Sequence, residues 1–210
     1  MGRDLGAKCR LCRREGMKLF LKGKRCSSEK CAVARRTAPP GMHTRIFSKK
    51  PSYYALQLRE KQRVKRMYGM LERQFRRFFS IATKAKGVTG RALIQLLERR
   101  LDNVIYRALF AFSRNHARQL VQHGFIFIGG KRVNIPSFII EEGDSIEIKA
   151  KDSFKKLLKE ISEINAKERS VASWLTVDSD NLTIKINRLP EKEDIALPIN
   201  EQLIVELYSK

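Results

Sequence analysis

Cysteine is scarce in this 210-residue chain, with four residues that all lie between Cys9 and Cys31, and tryptophan occurs once, at Trp174. A chain with no cysteine after Cys31 has no disulfide framework over most of its length. No apolar run approaches the ~18 residues that a membrane span requires, which excludes a membrane-spanning class. The opening stretch, MGRDLGAKCRLCRREG, carries charge where a secretory signal needs an apolar core, and Gly6 breaks the myristoylation pattern. The expectation is therefore a cytoplasmic chain with no membrane partner. A phosphate-cradling Gly-Lys-Ser/Thr loop is missing, as are repeats and low-complexity segments. Histidine is limited to His43, His116 and His123, and neither His116 nor His123 belongs to a nucleophile motif. No small-molecule substrate and no catalytic residue are expected.

Acid is what the front half lacks most. Lys and Arg number 44 against 22 Asp and Glu, a formal net charge of +22. By segment the net charge is +12 for residues 1–50, +10 for 51–100, +1 for 101–150 and −1 for 151–210, so the first hundred residues hold the entire excess. Such self-repulsion destabilises a compact state unless a polyanion offsets it. Nucleic acid is the natural polyanion, because each neutralised phosphate releases a condensed counterion. With 42% hydrophobic and 31% charged residues, and with Phe and Tyr interleaved among the cations, the composition is that of a folded chain, not a basic tail. The length allows one large or two small domains that bury about 70% of the unfolded surface.

The cysteines follow the pattern C-x2-C-x13-C-x4-C. Zinc needs four soft ligands at tetrahedral corners, and two short Cys pairs joined by a loop supply them. Cys9 and Cys12 form a tight pair; Cys26 and Cys31 form a looser one. Four thiolates leave about −2 on such a site, which Arg10, Arg13, Arg14, Arg25 and Lys30 can balance. So few large apolar residues lie here that one structural zinc ion would supply the folding energy a small core cannot. An iron–sulfur cluster or disulfide chemistry would use the same four thiols, and the paired spacing favours zinc.

Residues 37–51, TAPPGMHTRIFSKKP, read as an extended basic linker. Ser52 is placed to cap a helix that runs to Tyr68 and stops at Gly69, with Arg59, Lys61, Arg63, Lys65 and Arg66 opposed only by Glu60. Leu71, Phe75, Phe78, Phe79 and Ala82 then form one apolar stripe, with Arg73, Arg76, Arg77 and Lys84 largely off it. After the loop KAKGVTG, Thr89 is a cap for a helix buried through Leu93, Leu96, Leu97 and Leu101. The pattern continues through Val104, Ile105 and Leu109 after a break near Asp102. Ser113 caps a short helix that ends at His123-Gly124, with Ala117, Leu120 and Val121 inward and Arg114, Arg118 and Gln122 on a shared outward face. Strands are expected at Phe125–Ile128, after the Gly129-Gly130 turn, at Ser145–Lys149, at Leu182–Ile186 and at Gln202–Tyr208. Phe154, Leu157, Leu158, Ile161 and Ile164 line one more helix, and Trp174 anchors packing.

The run LERRLDNVIYRALFAFSRNHARQLVQHGFIFIGGKRVNIPS resembles the S-four RNA-binding domain, a helix pair followed by a basic β-hairpin. With MYGMLERQFRRFF and KAKGVTG before it, the cysteine cluster and the closing EQLIVELYSK, the chain is similar over essentially its whole length to the bacterial small-subunit ribosomal protein S-four family. The resemblance implies an α+β fold: a zinc-stapled N-terminal segment with its basic linker (residues 1–45), a basic helical domain (46–98), an S-four RNA-binding domain of a helix pair plus antiparallel strands (99–165), and a small β/α C-terminal region packing on the preceding domains (166–210). It implies a structural constituent of the small ribosomal subunit that binds the 5′ domain of 16S ribosomal RNA early in assembly. Such a protein lines the channel by which messenger RNA enters, beside ribosomal proteins S-three and S-five, and influences decoding accuracy.

Cys9, Cys12, Cys26 and Cys31 match the metal-binding form of the family's N-terminus, and Arg99, Arg100, Arg114, Arg118, Lys131 and Arg132 match the basic positions of its RNA-binding domain. Further phosphate contacts are expected in the charge excess of the front half, from Arg10, Arg13, Arg14, Lys22, Arg25, Arg35, Arg36, Arg45, Lys49, Lys50, Arg59, Arg63, Arg66, Arg73, Arg76, Arg77, Lys84 and Lys86. The competing readings are a free-standing RNA-binding protein or an rRNA-modifying enzyme with the same domain. Arg100-Leu101-Asp102 imitates the catalytic stretch of pseudouridine synthases, but Asp102 reads as a cap or as a partner for Arg, and no length remains for a catalytic domain.

Overall fold

Ser52, whose side-chain oxygen accepts the Ala55 N–H at 3.3 Å, opens the longest helix of the N-terminal half, as its place before an unbroken helical pattern predicts. In the computed structural model, which describes residues 2, 4–36, 38–41, 50–191, 193–194 and 199–209, the chain forms two compact units, Met1–Leu93 with Leu197–Lys210, and Ile94–Ala196.

The first unit begins with three short helices that carry the cysteines: α1 (Lys8–Glu15), α2 (Lys24–Ser27) and α3 (Ala32–Arg35). Gly16, at φ 69°, closes α1 in the left-handed conformation that glycine adopts cheaply. Then come α4 (Tyr53–Met67) and α5 (Glu72–Lys84), separated by Gly69 at φ 63°. On α5 Phe75, Phe78 and Ala82 are buried as the stripe predicts, while Leu71, just before the helix, stays exposed. α6 (Thr89–Glu98) carries the chain out of the first unit.

The second unit places the break at Arg100, two residues before the expected position. Arg100 is extended, pairs with Ile139 as an isolated bridge, and precedes α7 (Leu101–Arg107). Leu109, expected on that helix, instead lies beyond it at φ 68°, where its carbonyl accepts the Asn165 amide at 2.7 Å. Ser113 caps α8 (Arg114–Gln122) by accepting the His116 N–H at 3.3 Å. The sheet follows, with α9 inserted: β1 (Ile126–Ile128), β2 (Lys131–Arg132), β3 (Ser145–Ile148), α9 (Asp152–Ala166), β4 (Leu175–Asp178) and β5 (Thr183–Ile186). Its order is β2-β1-β3-β5-β4, antiparallel throughout. Gly129 and Gly130 both have positive φ, as a tight β1–β2 hairpin requires.

The register sets Ile126 opposite Ile148 and Ile146 opposite Ile184, which collects isoleucines on one sheet face. That face joins Leu101, Val104 and Ile105 of α7, Leu120 and Val121 of α8, Leu158 of α9 and the buried Trp174 in one core. Each such side chain contributes about 1.5–3 kcal/mol by leaving water.

One expected strand is a helix. Gln202–Tyr208 belongs to α10 (Glu201–Tyr208), which packs on α4. Among the described residues of the first unit there is no strand for it to pair with, whereas a helix turns Ile204, Glu206 and Tyr208 toward partners in that unit. Ile204 is buried; Glu206 accepts the Gln57 amide at 3.0 Å and the Tyr53 hydroxyl; Tyr208 stacks on Phe79 with ring centres 4.4 Å apart. β4 and β5 complete the sheet of the second unit, and α10 belongs to the first.

Candidate nucleic-acid interface

The cations of α4 face more acid than the local sequence suggests. Glu15 of α1 accepts Arg59 at 3.3 Å and also Arg66; Glu60 accepts Arg63 at 2.6 Å; Glu72 of α5 accepts Lys61 and Lys65, each at 2.8 Å. Burial alone would raise the Glu72 carboxyl, but the hydrogen bonds from Lys61, Lys65 and Tyr208 outweigh it and hold the group at about 2. Arg59, Arg63 and Arg66, expected as phosphate contacts, therefore each meet a carboxylate inside the unit: Arg63 meets Glu60 three residues away, and Arg59 and Arg66 share Glu15, more than forty residues away.

A second set of cations is unmatched. Arg10, Arg14, Lys22, Arg25, Arg35 and Arg36 are exposed around the cysteine helices; Lys50 is exposed before α4; Arg73, Arg76, Arg77, Lys84 and Lys86 are exposed on and just after α5. Among the described residues no carboxylate forms an ion pair with any of them. Arg13 is half-buried and donates through Nε and Nη2 to the carbonyls of Ala38 and Pro39 at 3.0 and 3.1 Å. Arg13, Arg25, Lys30, Ala32, Arg35 and Arg36 line one cleft. Arg45 and Lys49 lie outside the described residues.

Cys9, Cys12, Cys26 and Cys31 line another cavity, and the last three are buried. Burial pushes the Cys12 and Cys26 thiols up, the neighbouring cysteines add to this, and backbone N–H donors from Leu19 and Lys22 pull the other way. The Lys22 N–H lies 3.3 Å from Cys26 Sγ. Four sulfurs around one cavity, with amide donors aimed at two of them, are a donor set suited to a soft metal ion. As the side chains stand, no group of three or more His, Cys, Asp or Glu among the described residues is gathered to hold a metal.

In the second unit the basic positions divide again. Arg100 and Arg118, expected on the RNA surface, are 0% and 4% exposed. Both are turned inward toward Asp102, which accepts Arg100 bidentately and lies 3.9 Å from Arg118. The outward face predicted for Arg118 fails because α8 presents that side to the buried carboxylate. Arg99 donates to the Ile140 carbonyl at 2.8 Å. Arg114 is half-buried, donates to Asn103 Oδ1 at 2.8 Å and stacks over Tyr106. Asn103 is in turn held by Glu98, which also takes the Arg107 fork at 2.9 and 2.7 Å. Arg132 is exposed, but its head donates to the Gly124 and His123 carbonyls and so caps α8; Lys131 is exposed at the hairpin tip.

Residues 3–98 match the family model described as Ribosomal protein S4/S9 N-terminal domain, and residues 99–146 match the S4 domain. The chain is 57% identical to the small ribosomal subunit protein uS4 of Caldicellulosiruptor saccharolyticus, 56% to that of Dictyoglomus turgidum and 52% to that of Thermus thermophilus, over the full length of both chains in each case. The chain belongs to the uS4 family.

The boundary between the two matched uS4 segments falls at the break between α6 and α7, where Arg100 leaves helical geometry. Lys30 is a cleft residue absent from the expected phosphate contacts, and its place beside Cys31 was the available signal. No helix among the described residues of this uS4 chain is long and apolar enough to cross a membrane.

Proposed function

We propose that the chain is a structural, RNA-binding constituent of the small ribosomal subunit in the cytoplasm, a scaffold and not a catalyst, that clamps 16S ribosomal RNA. The observation that carries this reading is the split among the cations of the first unit. The five cations of α4 share three carboxylates, Glu15, Glu60 and Glu72, while among the described residues Arg10, Arg14, Lys22, Arg25, Arg35 and Arg36 around the cysteines and Arg73, Arg76, Arg77 and Lys84 on α5 meet solvent with no carboxylate in an ion pair. Uncompensated charge of this kind has its use in counterion release from closely spaced phosphates. Residues 1–45 and 46–98 would supply most of this grip. The S4 domain, 99–165, would add Lys131 and Arg114 and read RNA shape.

Within that role the chain nucleates the 5′ domain of 16S RNA and helps line the channel by which messenger RNA enters, beside ribosomal proteins S-three and S-five, with an effect on decoding accuracy. The near-neutral charge of residues 101–210 supports protein neighbours there. One structural zinc ion would be held by Cys9, Cys12, Cys26 and Cys31. The four thiols around one cavity support this, and the ion would supply cross-linking of α1, α2 and α3.

Footprinting on deproteinised 16S RNA tests the reading. Protections at an RNA helix junction, with an affinity that falls steeply as salt rises, are expected. RNA reactivity unchanged by saturating protein at about 0.1 M salt would overturn it.

A further inference from the structure

We propose that the cleft bounded by Arg13, Arg25, Lys30, Ala32, Arg35 and Arg36 is a discrete oxyanion site for two neighbouring phosphates, and that the thiol cavity beside it sets its geometry. The proposal rests on the RNA-binding reading for the source of those phosphates, an RNA strand.

The cleft has a volume of about 420 Å³, within the range of specific ligand sites and too roomy for a lone water or chloride. Five of its six lining residues are cations and the sixth is alanine, so nothing acidic enters the lining. Among the described residues no carboxylate pairs with these five, in contrast to the cations of α4. Like charges gathered in one concavity repel, and a bound anion relieves that repulsion. Arg13 is anchored through Nε and Nη2 to the Ala38 and Pro39 carbonyls, which fixes the plane of its guanidinium and leaves its charge unneutralised. Arginine forks grip phosphate oxygens in pairs, and the three forks of Arg25, Arg35 and Arg36, with the Lys30 ammonium and the charge of Arg13, exceed the need of one phosphate.

The link to the thiols is covalent and geometric. Arg25 and Ala32 line both cavities. Arg13, Arg25 and Lys30 each sit one residue from a cysteine, next to Cys12, Cys26 and Cys31, and α3 with Arg35 starts directly after Cys31. Whatever draws the four sulfurs together moves these cations as a set. Linkage then requires that phosphate binding favour the drawn-together state in return.

Calorimetric titration of the full chain with inorganic pyrophosphate at low salt, alone and after saturation with 16S RNA, tests this. One saturable site is expected, blocked by the RNA and weakened about tenfold or more in Arg35→Gln/Arg36→Gln and in Arg25→Gln. Arg25→Lys should retain most of the affinity, and Lys156→Gln, exposed on α9 of the second unit, should leave it unchanged. In the RNA titration Arg35→Gln/Arg36→Gln should lower the salt slope by about 2. Pyrophosphate affinity and RNA slope both unchanged in that double variant would overturn the site while leaving the RNA-binding reading intact. Saturable pyrophosphate binding in a chain that ignores 16S RNA would do the reverse, assigning the site to free phosphates and sinking the RNA reading. Cys12→Ser should weaken pyrophosphate about tenfold, and zinc added to the chelator-treated wild type should strengthen it; an affinity indifferent to both would overturn the thiol link.

Discussion

Arg100 and Asp102, two positions apart, grip each other inside the second unit through two hydrogen bonds, Nε to Oδ1 at 3.0 Å and Nη2 to Oδ2 at 2.6 Å. The bond spans the junction where the chain leaves α6 in extended geometry and starts α7, so it locks a change of direction as well as a charge. Arg118 approaches the same carboxylate from α8.

Removing that carboxylate takes from two buried guanidiniums the anion they share. Asp102→Ala should lose about 3–5 kcal/mol of stability, the cost of breaking one partner out of a buried pair. Replacing all three charged groups with apolar residues, Arg100→Met, Asp102→Leu and Arg118→Met, should recover much of the loss. Urea unfolding followed by the fluorescence of buried Trp174, in the same unit, measures both, and a triple variant no better than Asp102→Ala would refute the account.

The Glu72 cluster predicts an acid-sensitive helix attachment. Because the folded carboxyl sits at about 2, below its ordinary value near 4.5, its stabilisation is full above pH 4.5 and is lost as pH falls toward 2. Glu72→Gln should cost about 1–2 kcal/mol at pH 7, allowing for solvent screening of a partly exposed group, and the gap from the parent should close over that acid window. Thermal melts from pH 2 to 7 report it; a gap that does not vary with pH would contradict the ion-pair origin.

Exposed and paired arginines should behave differently toward RNA. Arg76→Gln with Arg77→Gln should weaken 16S binding and reduce the salt slope by about 2, with a stability loss limited to the contact of Arg76 with Tyr208. Arg59→Gln with Arg66→Gln, which releases Glu15, should instead lower stability and leave the slope nearly unchanged. Filter binding across a salt series, beside denaturation curves, separates the two sets.

Cys9→Ser with Cys12→Ser should loosen residues 8–36 and leave the second unit intact. Hydrogen exchange should then rise on α1, α2 and α3 while β1, β3 and β5 keep their protection. Loss of protection throughout the sheet would show that the two units do not fold separately.

Local chemistry made much of this architecture legible. Ser52 and Gly69 bracket α4, Ser113 and Gly124 bracket α8, and Gly129-Gly130 marks the hairpin, because each signal acts within a few residues. The failures have a common cause. Gln202–Tyr208 reads as a strand from its short apolar run, and its helical state is decided by Phe79, Gln57 and Glu72, more than a hundred residues away in sequence. Arg100 stands two residues from Asp102, which already reads as a partner for Arg, whereas only the fold brings Arg118 of α8 to the same carboxylate. The one hint was Asp102 itself, an acid placed on an apolar stripe. In the same way Glu15 gave no sign along the chain that it would take up Arg59 and Arg66.

Because α10 belongs with α4 and α5, the second unit is an insertion in the sequence of the first. The contacts of α10 with Tyr53, Gln57 and Glu72 each close a loop of more than a hundred residues. Contacts so distant along the chain form slowly, because the entropy of closing the loop is lost before they stabilise anything. The first unit should therefore complete its packing more slowly than the second.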